Sequence, residues 1–180
     1  MKKNYLRRNF LKNSFLVSAG LVLVPTMLSA SNTGFNSIKN SSNVSDIRKI
    51  LFGKQIEIIG QIFDSSGRNP LRGATIEFWH LSPNSNEMGH NGSLLTDKNG
   101  FYRIITDYPN REFGKHTTIH YKVTKGEQSS LTELKFSDLA AHITDKHWER
   151  NHLLGEELLF PKIEKSLNRT KINFNFTINQ

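Results

Sequence analysis

The feature that most constrains the fold of this 180-residue chain is a series of short β-branched and aromatic segments, each closed by turn residues. The segment Gln55–Phe63, which reads QIEIIGQIF, is typical of a β-strand. Residues 74–81, which read ATIEFWHL, alternate as a half-buried strand does. Such segments, spaced about 8–15 residues apart, favour a sandwich or barrel over an α/β fold. Further strands are predicted at residues 101–106, 116–123, 131–136 and 171–178.

Turns and one helix complete the predicted domain. Residues 97–100, which read DKNG, predict a hairpin-type turn in which Gly100 adopts a positive φ. Residues 125–128 predict a second turn between two of the strands. Residues 138–154 are polar with apolar positions at helical spacing, which predicts a helix. The sequence therefore predicts an all-β domain with one short helix before its C-terminal strand.

The charge and the cysteine count exclude several classes of function. The chain contains no cysteine, which excludes disulfides, thiolate metal sites and thiol nucleophiles. Its formal charge is +8, but residues 1–30 carry five basic residues and no acidic one. Subtracting these five charges leaves +3 for the other residues, which contain no basic run. We therefore expect no nucleic-acid partner.

Residues 1–30 have the layout of an export signal, with a basic start, an apolar stretch and a small residue, Ala30, before a polar segment. The apolar stretch, at about 14 residues, is shorter than the roughly 20 of a membrane span, so we expect no stable membrane insertion after cleavage. Residues 7–12, which read RRNFLK, resemble the twin-arginine export motif, with Leu6 where Ser or Thr is usual. The sequence predicts export to the periplasm or envelope of a bacterial cell. An ordinary secretory signal or an uncleaved anchor is the alternative.

The segment after this signal is rich in Ser and Asn and nearly lacks aliphatic residues over 31–46. Such a composition buries too little apolar surface to order itself. We therefore expect a polar linker over residues 31–50 and a folded domain over residues 51–180.

Three stretches of the chain together resemble the intradiol ring-cleavage dioxygenases. They are GQIFDSSGRNPLRGATIEFWHL at 60–81, LLTDKNGFYRI at 94–104 and KHTTIHYKV at 115–123. The resemblance extends over residues 56–178 and includes LTELKF at 131–136. It implies a transthyretin-like β-sandwich with a metal at one edge and iron-dependent oxidative cleavage of a catechol-type ring.

The resemblance also implies where a metal would bind. In the family, two tyrosinates and two histidines hold Fe(III). By position, the tyrosines fall on Glu87 and Glu112, and the histidines fall on Thr118 and His120. Two carboxylates and an imidazole suit Fe(II), Mn(II) or Zn(II) rather than the Fe(III) of the family. Three hypotheses stay open: a rebuilt site, a lost site, and a site displaced by insertions in the two loops.

Residues near these positions are further candidates. Lys115 takes the position of a family arginine, which implies that it stabilises negative charge developing on the substrate. His116 shares a strand face with His120, but four residues along a strand span about 13 Å, so a shared metal requires a bend or bulge. His90 lies in a variable loop that could approach the site. A displaced alignment would bring Tyr108 to the second tyrosine position.

The remaining sequence offers little other chemistry. His142, His147 and His152 are five residues apart, so on a helix each is rotated by about 140° from the last, and we expect all three on its surface. His80 follows Trp79 in a pair that is common in the family and is not expected to bind metal. No phosphate-binding loop, GxSxG motif or nucleophile–base pair is evident.

The sequence favours an exported intradiol dioxygenase-like protein that acts on a small aromatic diol through an altered metal site. The alternative is a non-catalytic β-sandwich module that binds an envelope component or another protein. A third hypothesis is a metal-dependent hydrolase that reuses the two carboxylates. The sequence does not indicate an oligomeric state.

Overall fold

The computed structural model describes residues 42–178, which form a β-sandwich of two sheets. The predicted export signal and residues 31–41 of the predicted linker lie outside this range. No helix in the described range is long and apolar enough to cross a membrane. The strands are β1 (Val44–Asp46), β2 (Gln55–Phe63), β3 (Thr75–His80), β4 (His90–Leu95), β5 (Phe101–Asp107), β6 (Thr117–Lys125), β7 (Gln128–Phe136), β8 (Ala141–Ile143), β9 (Lys162–Ser166), β10 (Arg169–Asn173) and β11 (Phe176–Thr177). The helices are α1 (Asp145–Asn151), a 3-10 turn (His152–Leu154) and α2 (Glu156–Leu159).

The two sheets differ in how their strands pair. Sheet I has the order β1-β5-β2-β10-β9, and β11 also pairs with β2. Within it β2 is antiparallel to β5 and parallel to β10 and β11. Sheet II has the order β4-β3-β6-β7-β8 and is antiparallel throughout. The mostly-β sandwich and the short helices before the C-terminal strands confirm the predicted fold class.

The core lies between the sheets because the strands alternate buried and exposed residues. In β6, for example, Ile119, Tyr121 and Val123 are fully buried, whereas Thr118 and His120 face outward. The phenol of Tyr121 lies in this core, and burial raises its pKa. The largest fully buried side chains are Tyr102, Tyr121, Phe78, Phe136, Phe174 and Phe176.

Gly60 permits the closest approach in the core. A Cβ placed on Gly60 would lie 1.9 Å from the carbonyl oxygen of Phe174 and 2.7 Å from the ring of Tyr102. That same carbonyl accepts a hydrogen bond of 2.7 Å from the Tyr102 hydroxyl. Gly60 lies where β2 stops pairing with β10 and before it pairs with β11. A side chain at this position would push the C-terminal segment away from sheet I.

Several predicted strands agree with the structure, and the segments with weak patterns do not. The bounds of β2 are those predicted, and Gly100 has the expected positive φ of 73°. Four strands were not predicted: β1 lies inside the predicted linker and pairs with β5, β4 has a polar, glycine-containing sequence, β8 lies within the predicted helix, and β9 is a charged edge strand. The ordered domain therefore begins before residue 51. The predicted single strand over 171–178 is interrupted between β10 and β11.

The predicted helix over residues 138–154 begins later than expected. Residues 141–143 instead form β8, which pairs with the end of β7. Thr144 then caps α1, and its hydroxyl accepts a hydrogen bond from the backbone N–H of His147. The prediction that His147 lies on the helix surface is wrong, because its side chain packs against Phe174 with ring centroids 4.9 Å apart. His142 lies on β8 and is exposed, and His152 is exposed.

The first prediction concerns Gly60. Replacing Gly60 with Ala should lower the free energy of unfolding by at least about 2 kcal/mol, because the new Cβ overlaps a backbone carbonyl that has little room to move. Urea unfolding followed by circular dichroism measures the change. Gly53→Ala is the matched control, since its Cβ would meet only the Ile50 side chain at 3.3 Å. Equal unfolding midpoints for the two variants would contradict this account.

The second prediction concerns pH. Burial lowers the pKa of His147 from 6.5 to about 4. Between these two pH values the His147 side chain is protonated in the unfolded chain and neutral in the folded one. This contribution to stability is complete above pH 6.5 and is lost as the pH falls towards 4, by roughly 2 kcal/mol at pH 5. Urea unfolding at pH 8 and pH 5 should therefore show a smaller difference for His147→Gln than for the unchanged protein. His142→Gln, at an exposed position, should keep the full difference, and equal differences in all three would count against the assignment.

Candidate functional site

The outer face of sheet II carries His120, the residue that the resemblance places at a family histidine ligand. The register of the sheet places His120 between Trp79 on β3 and Glu133 on β7. The rings of Trp79 and His120 stack, with centroids 5.6 Å apart and planes 13° apart. On the other side, Nδ1 of His120 lies 3.3 Å from Oε1 of Glu133. We call these three residues the outer-face cluster.

The charge of the outer-face cluster is set by Glu133. The interaction with His120 holds the pKa of the Glu133 carboxyl below its usual range, with a further contribution from Lys135 and against the effect of partial burial. Lys135 Nζ lies 3.6 Å from the second carboxylate oxygen of Glu133. Glu133 is therefore an anion at neutral pH, with 40% of its side chain exposed to solvent.

The other predicted site residues do not join His120. Glu87 is exposed in the loop between β3 and β4. Glu112 and Lys115 form an ion pair with each other in the loop before β6. His116 is exposed and its ring lies against that of His142, with centroids 5.5 Å apart. The structure thus brings Glu112 and Lys115 together in an ion pair.

The available donors do not fit the metal centre of the family. Within residues 42–178, no three His, Asp or Glu side chains form a group that could hold a metal ion. Thr118, which the resemblance places at the first of the two family histidines, donates its hydroxyl to the carbonyl of His116, 3.1 Å away. His120 and Glu133 supply two donor atoms that face each other, whereas the family uses four protein ligands.

Tyr108 does not take the place of a tyrosinate ligand beside His120. Its ring packs edge-to-face against Phe136, with centroids 5.6 Å apart, and Phe136 is a fully buried core residue. Tyr108 therefore lies on the inner side of sheet II and His120 on the outer side. Burial and the nearby Asp138 raise the pKa of Tyr108, which keeps its phenol neutral.

A pocket of about 500 Å³ opens at the end of the sandwich where Tyr108 lies. The loops after β3 and β5 form one side of it and are joined by a hydrogen bond of 2.9 Å from the Asn110 side chain to the Ser85 carbonyl. Its size is in the range of small-molecule sites. Lining residues include Ile50, Phe52, Pro83, Tyr108, Asn110 and Arg111.

Two further histidines are buried and stacked on each other. The rings of His80 and His90 lie 5.1 Å apart. His80 Nδ1 lies 2.8 Å from the Leu81 carbonyl, to which it donates, and its Nε2 lies 2.8 Å from the Thr106 hydroxyl. Burial lowers the pKa of His80 to about 4, so its imidazole is neutral. The expectation that His80 does not bind a metal agrees with these two hydrogen bonds.

His90 joins two residues that the sequence analysis did not connect. Its Nδ1 lies 3.0 Å from the hydroxyl of Ser82, and its Nε2 lies 3.0 Å from Oδ2 of Asp107. Oδ2 of Asp107 also accepts the backbone N–H groups of Lys49 and Ile50, at 2.7 and 3.2 Å. His90 is thus the first residue of β4 and is buried, rather than part of a variable loop. Ser82 and Asp107 each directly follow a segment that the sequence predicted as a strand, whereas β4, which begins with His90, was not predicted.

Comparisons with known proteins give the same fold. The chain resembles the dioxygenase domain of a dioxygenase–carbohydrate-binding protein fusion from Streptomyces sp. SirexAA-E, with 18% identity and a TM-score of 0.54. The match covers 86% of this chain and 97% of that domain. It also resembles catechol 1,2-dioxygenase from Acinetobacter sp. ADP1, with 17% identity and a TM-score of 0.54, over 77% of this chain and 57% of that one. A third similar structure is an intradiol ring-cleavage dioxygenase from Tetranychus urticae, with 15% identity and a TM-score of 0.53, over 75% and 85% of the two chains.

No protein-family model and no curated protein sequence matches the chain. At the identities of 15–18% given above, the likeness to solved structures establishes the fold. The resemblance read from the sequence is therefore confirmed at that level. The chain has the fold of the intradiol ring-cleavage dioxygenases.

Proposed function

We propose that this is an exported protein that binds a small aromatic diol at the outer-face cluster, without the metal centre that the dioxygenases use. The observation that carries the proposal is that His120, at the position of a family ligand, pairs with Glu133 and stacks against Trp79. Export rests on the twin-arginine-like sequence at residues 7–12. The diol is suggested by the fold, since one similar protein is a catechol 1,2-dioxygenase.

The outer-face cluster has the chemistry that such a ligand requires. The Glu133 carboxylate accepts hydrogen bonds, and two vicinal hydroxyl groups supply two donors that can reach its two oxygens. The stacked rings of Trp79 and His120 offer an aromatic surface beside that carboxylate. Lys135 lies next to Glu133 and favours a ligand that carries partial negative charge on its oxygens.

Oxidative ring cleavage is the second candidate function, and the fold favours it. It requires a metal ligand set that includes His120 and residues that are not assembled around it in the described range. The two candidates therefore differ in one measurable property, which is the metal content of the protein after export.

The third prediction concerns the diol. Glu133→Gln should weaken the binding of catechol about tenfold, because a hydrogen bond to a charged acceptor contributes more than one to a neutral amide. Isothermal titration calorimetry without oxygen measures the dissociation constant. Glu77→Gln is the matched control, since Glu77 lies on the same face and pairs with Lys122 at 3.3 Å in a neighbouring row. Absence of catechol binding, or equal weakening by both variants, would overturn the proposal.

The fourth prediction concerns metal. Protein purified from the periplasm should contain iron, manganese and zinc well below one atom per chain, and His120→Ala should leave that content unchanged. Elemental analysis checks both samples, and an absorption spectrum checks for the tyrosinate-to-iron charge-transfer colour, which should be absent. A stoichiometric metal that is lost in His120→Ala would establish the dioxygenase candidate instead.

The same sample tests export. Mass spectrometry of the periplasmic protein should give an N-terminus near Ser31, after the small residue Ala30. Changing both Arg7 and Arg8 to Lys should retain the protein in the cytoplasm with its N-terminal segment intact. Unchanged export of that variant would contradict the twin-arginine route, and a full-length cytoplasmic wild type would contradict export itself.

A further inference from the structure

Ser82, His90 and Asp107 form a hydrogen-bonded row that the proposed diol site does not use. The Ser82 hydroxyl and the Asp107 carboxylate lie on opposite nitrogens of the His90 ring, each at 3.0 Å. Ser82 comes two residues after β3, His90 begins β4, and Asp107 ends β5. Three strand ends therefore converge to build the row, so its geometry is held by both sheets.

The hydrogen bonds fix which nitrogen of His90 carries the proton. Asp107 Oδ2 also accepts the N–H groups of Lys49 and Ile50, so it is the acceptor in this network. A carboxylate has no proton to donate, so Nε2 of His90 must carry the hydrogen of their bond. Nδ1 is then a lone pair that accepts the Ser82 O–H. An imidazole in this tautomer is placed to remove the proton from the serine.

Burial increases along the row from the hydroxyl to the carboxylate. The side chain of Asp107 is 1% exposed and that of His90 is 4% exposed, whereas Ser82 is partly exposed. The residues that follow Ser82 and Asp107, Pro83 and Tyr108, both line the 500 Å³ pocket, as does Ile50. The hydroxyl is thus the outermost group of the row, and its chain neighbour Pro83 lines a space that can hold a small molecule.

We propose that Ser82 is a nucleophile for acyl transfer, with His90 as its general base and Asp107 as the residue that positions His90. The substrate class is a small aryl ester, because Phe52 and Tyr108 give the pocket aromatic walls. This activity is separate from diol binding at the outer-face cluster, which lies on the outer side of sheet II.

The reaction balances with water as the second substrate. Ser82 Oγ forms a bond to the ester carbonyl carbon as its proton passes to Nδ1 of His90. The bond from that carbon to the alcohol oxygen then breaks, and the departing alcohol takes the proton from His90. A water molecule gives a proton to His90 and attacks the acyl-serine, and His90 returns that proton to Ser82 as the carboxylic acid leaves.

The fifth prediction tests Ser82 directly. A fluorophosphonate probe, which phosphonylates activated serines with loss of fluoride, should add once to the folded protein, and peptide mapping should place the adduct on Ser82. Ser82→Ala should abolish labelling while its circular dichroism stays unchanged. Ser85→Ala, in the same loop, and Glu77→Gln, on the outer face of sheet II, should both be labelled normally. An unlabelled wild-type protein, or an adduct that persists in Ser82→Ala, would overturn the proposal.

A second variant tests whether His90 activates this position rather than only packing there. Because the chain has no cysteine, Ser82→Cys and Ser85→Cys each introduce a single thiol. A thiol beside a basic imidazole is alkylated faster at neutral pH than an ordinary one. Iodoacetamide should react at least about tenfold faster with Ser82→Cys than with Ser85→Cys at pH 7. Equal or slower reaction at position 82 would show that the row is structural and would reject the catalytic assignment.

Discussion

The sandwich depends on the close approach of the Phe174 carbonyl to the backbone of β2 at Gly60. At this point β2 exchanges one parallel partner strand for another, and a ladder of regular hydrogen bonds is interrupted. The interruption is filled by side chains: the Tyr102 hydroxyl donates to the Phe174 carbonyl, and the Asn175 side-chain oxygen accepts the N–H of Gln61 at 2.9 Å. Buried backbone groups are expensive to leave unpaired, so these two bonds allow the chain to cross the core here.

The same alternation that builds the core decides which polar residues meet. Trp79 and His80 are consecutive on β3, yet Trp79 faces outward against His120 while His80 faces inward against His90. A step of one residue along a strand therefore separates two clusters of different chemistry. The outer cluster is solvated and held by cross-strand contacts, whereas Asp107 and its partners are buried and held by backbone donors. Electrostatic interactions are correspondingly stronger in the inner cluster.

The sequence predicted the elements whose periodicity is unambiguous and missed those decided by tertiary contacts. The bounds of β2 followed from nine consecutive strand-forming residues. The segment 138–154 has a helical pattern, but residues 141–143 pair with β7 in sheet II. The helix α1 therefore begins only after Thr144, which caps it. Because α1 then packs on the sandwich, His147 turns towards Phe174 instead of water. No single-segment pattern contains that information.

The candidate site divides in the same way between strands and loops. On strands, position fixes neighbours: the resemblance placed His120 by counting, and the register of β6 with β7 brings it beside Glu133. In loops, counting along the chain fixes no neighbour, and Glu112 satisfies its charge with Lys115 three residues away.

The change from the family pattern therefore falls on both kinds of position, with different physical consequences. In the loops, Glu112 pairs with Lys115, and Glu87 is exposed. The carboxylate of Glu133, in contrast, lies against the imidazole itself and engages its Nδ1, which leaves Nε2 as the nitrogen available to any further partner. On this strand, therefore, both positions form hydrogen bonds within the protein: His120 through Nδ1 to Glu133, and Thr118 through its hydroxyl to the His116 carbonyl.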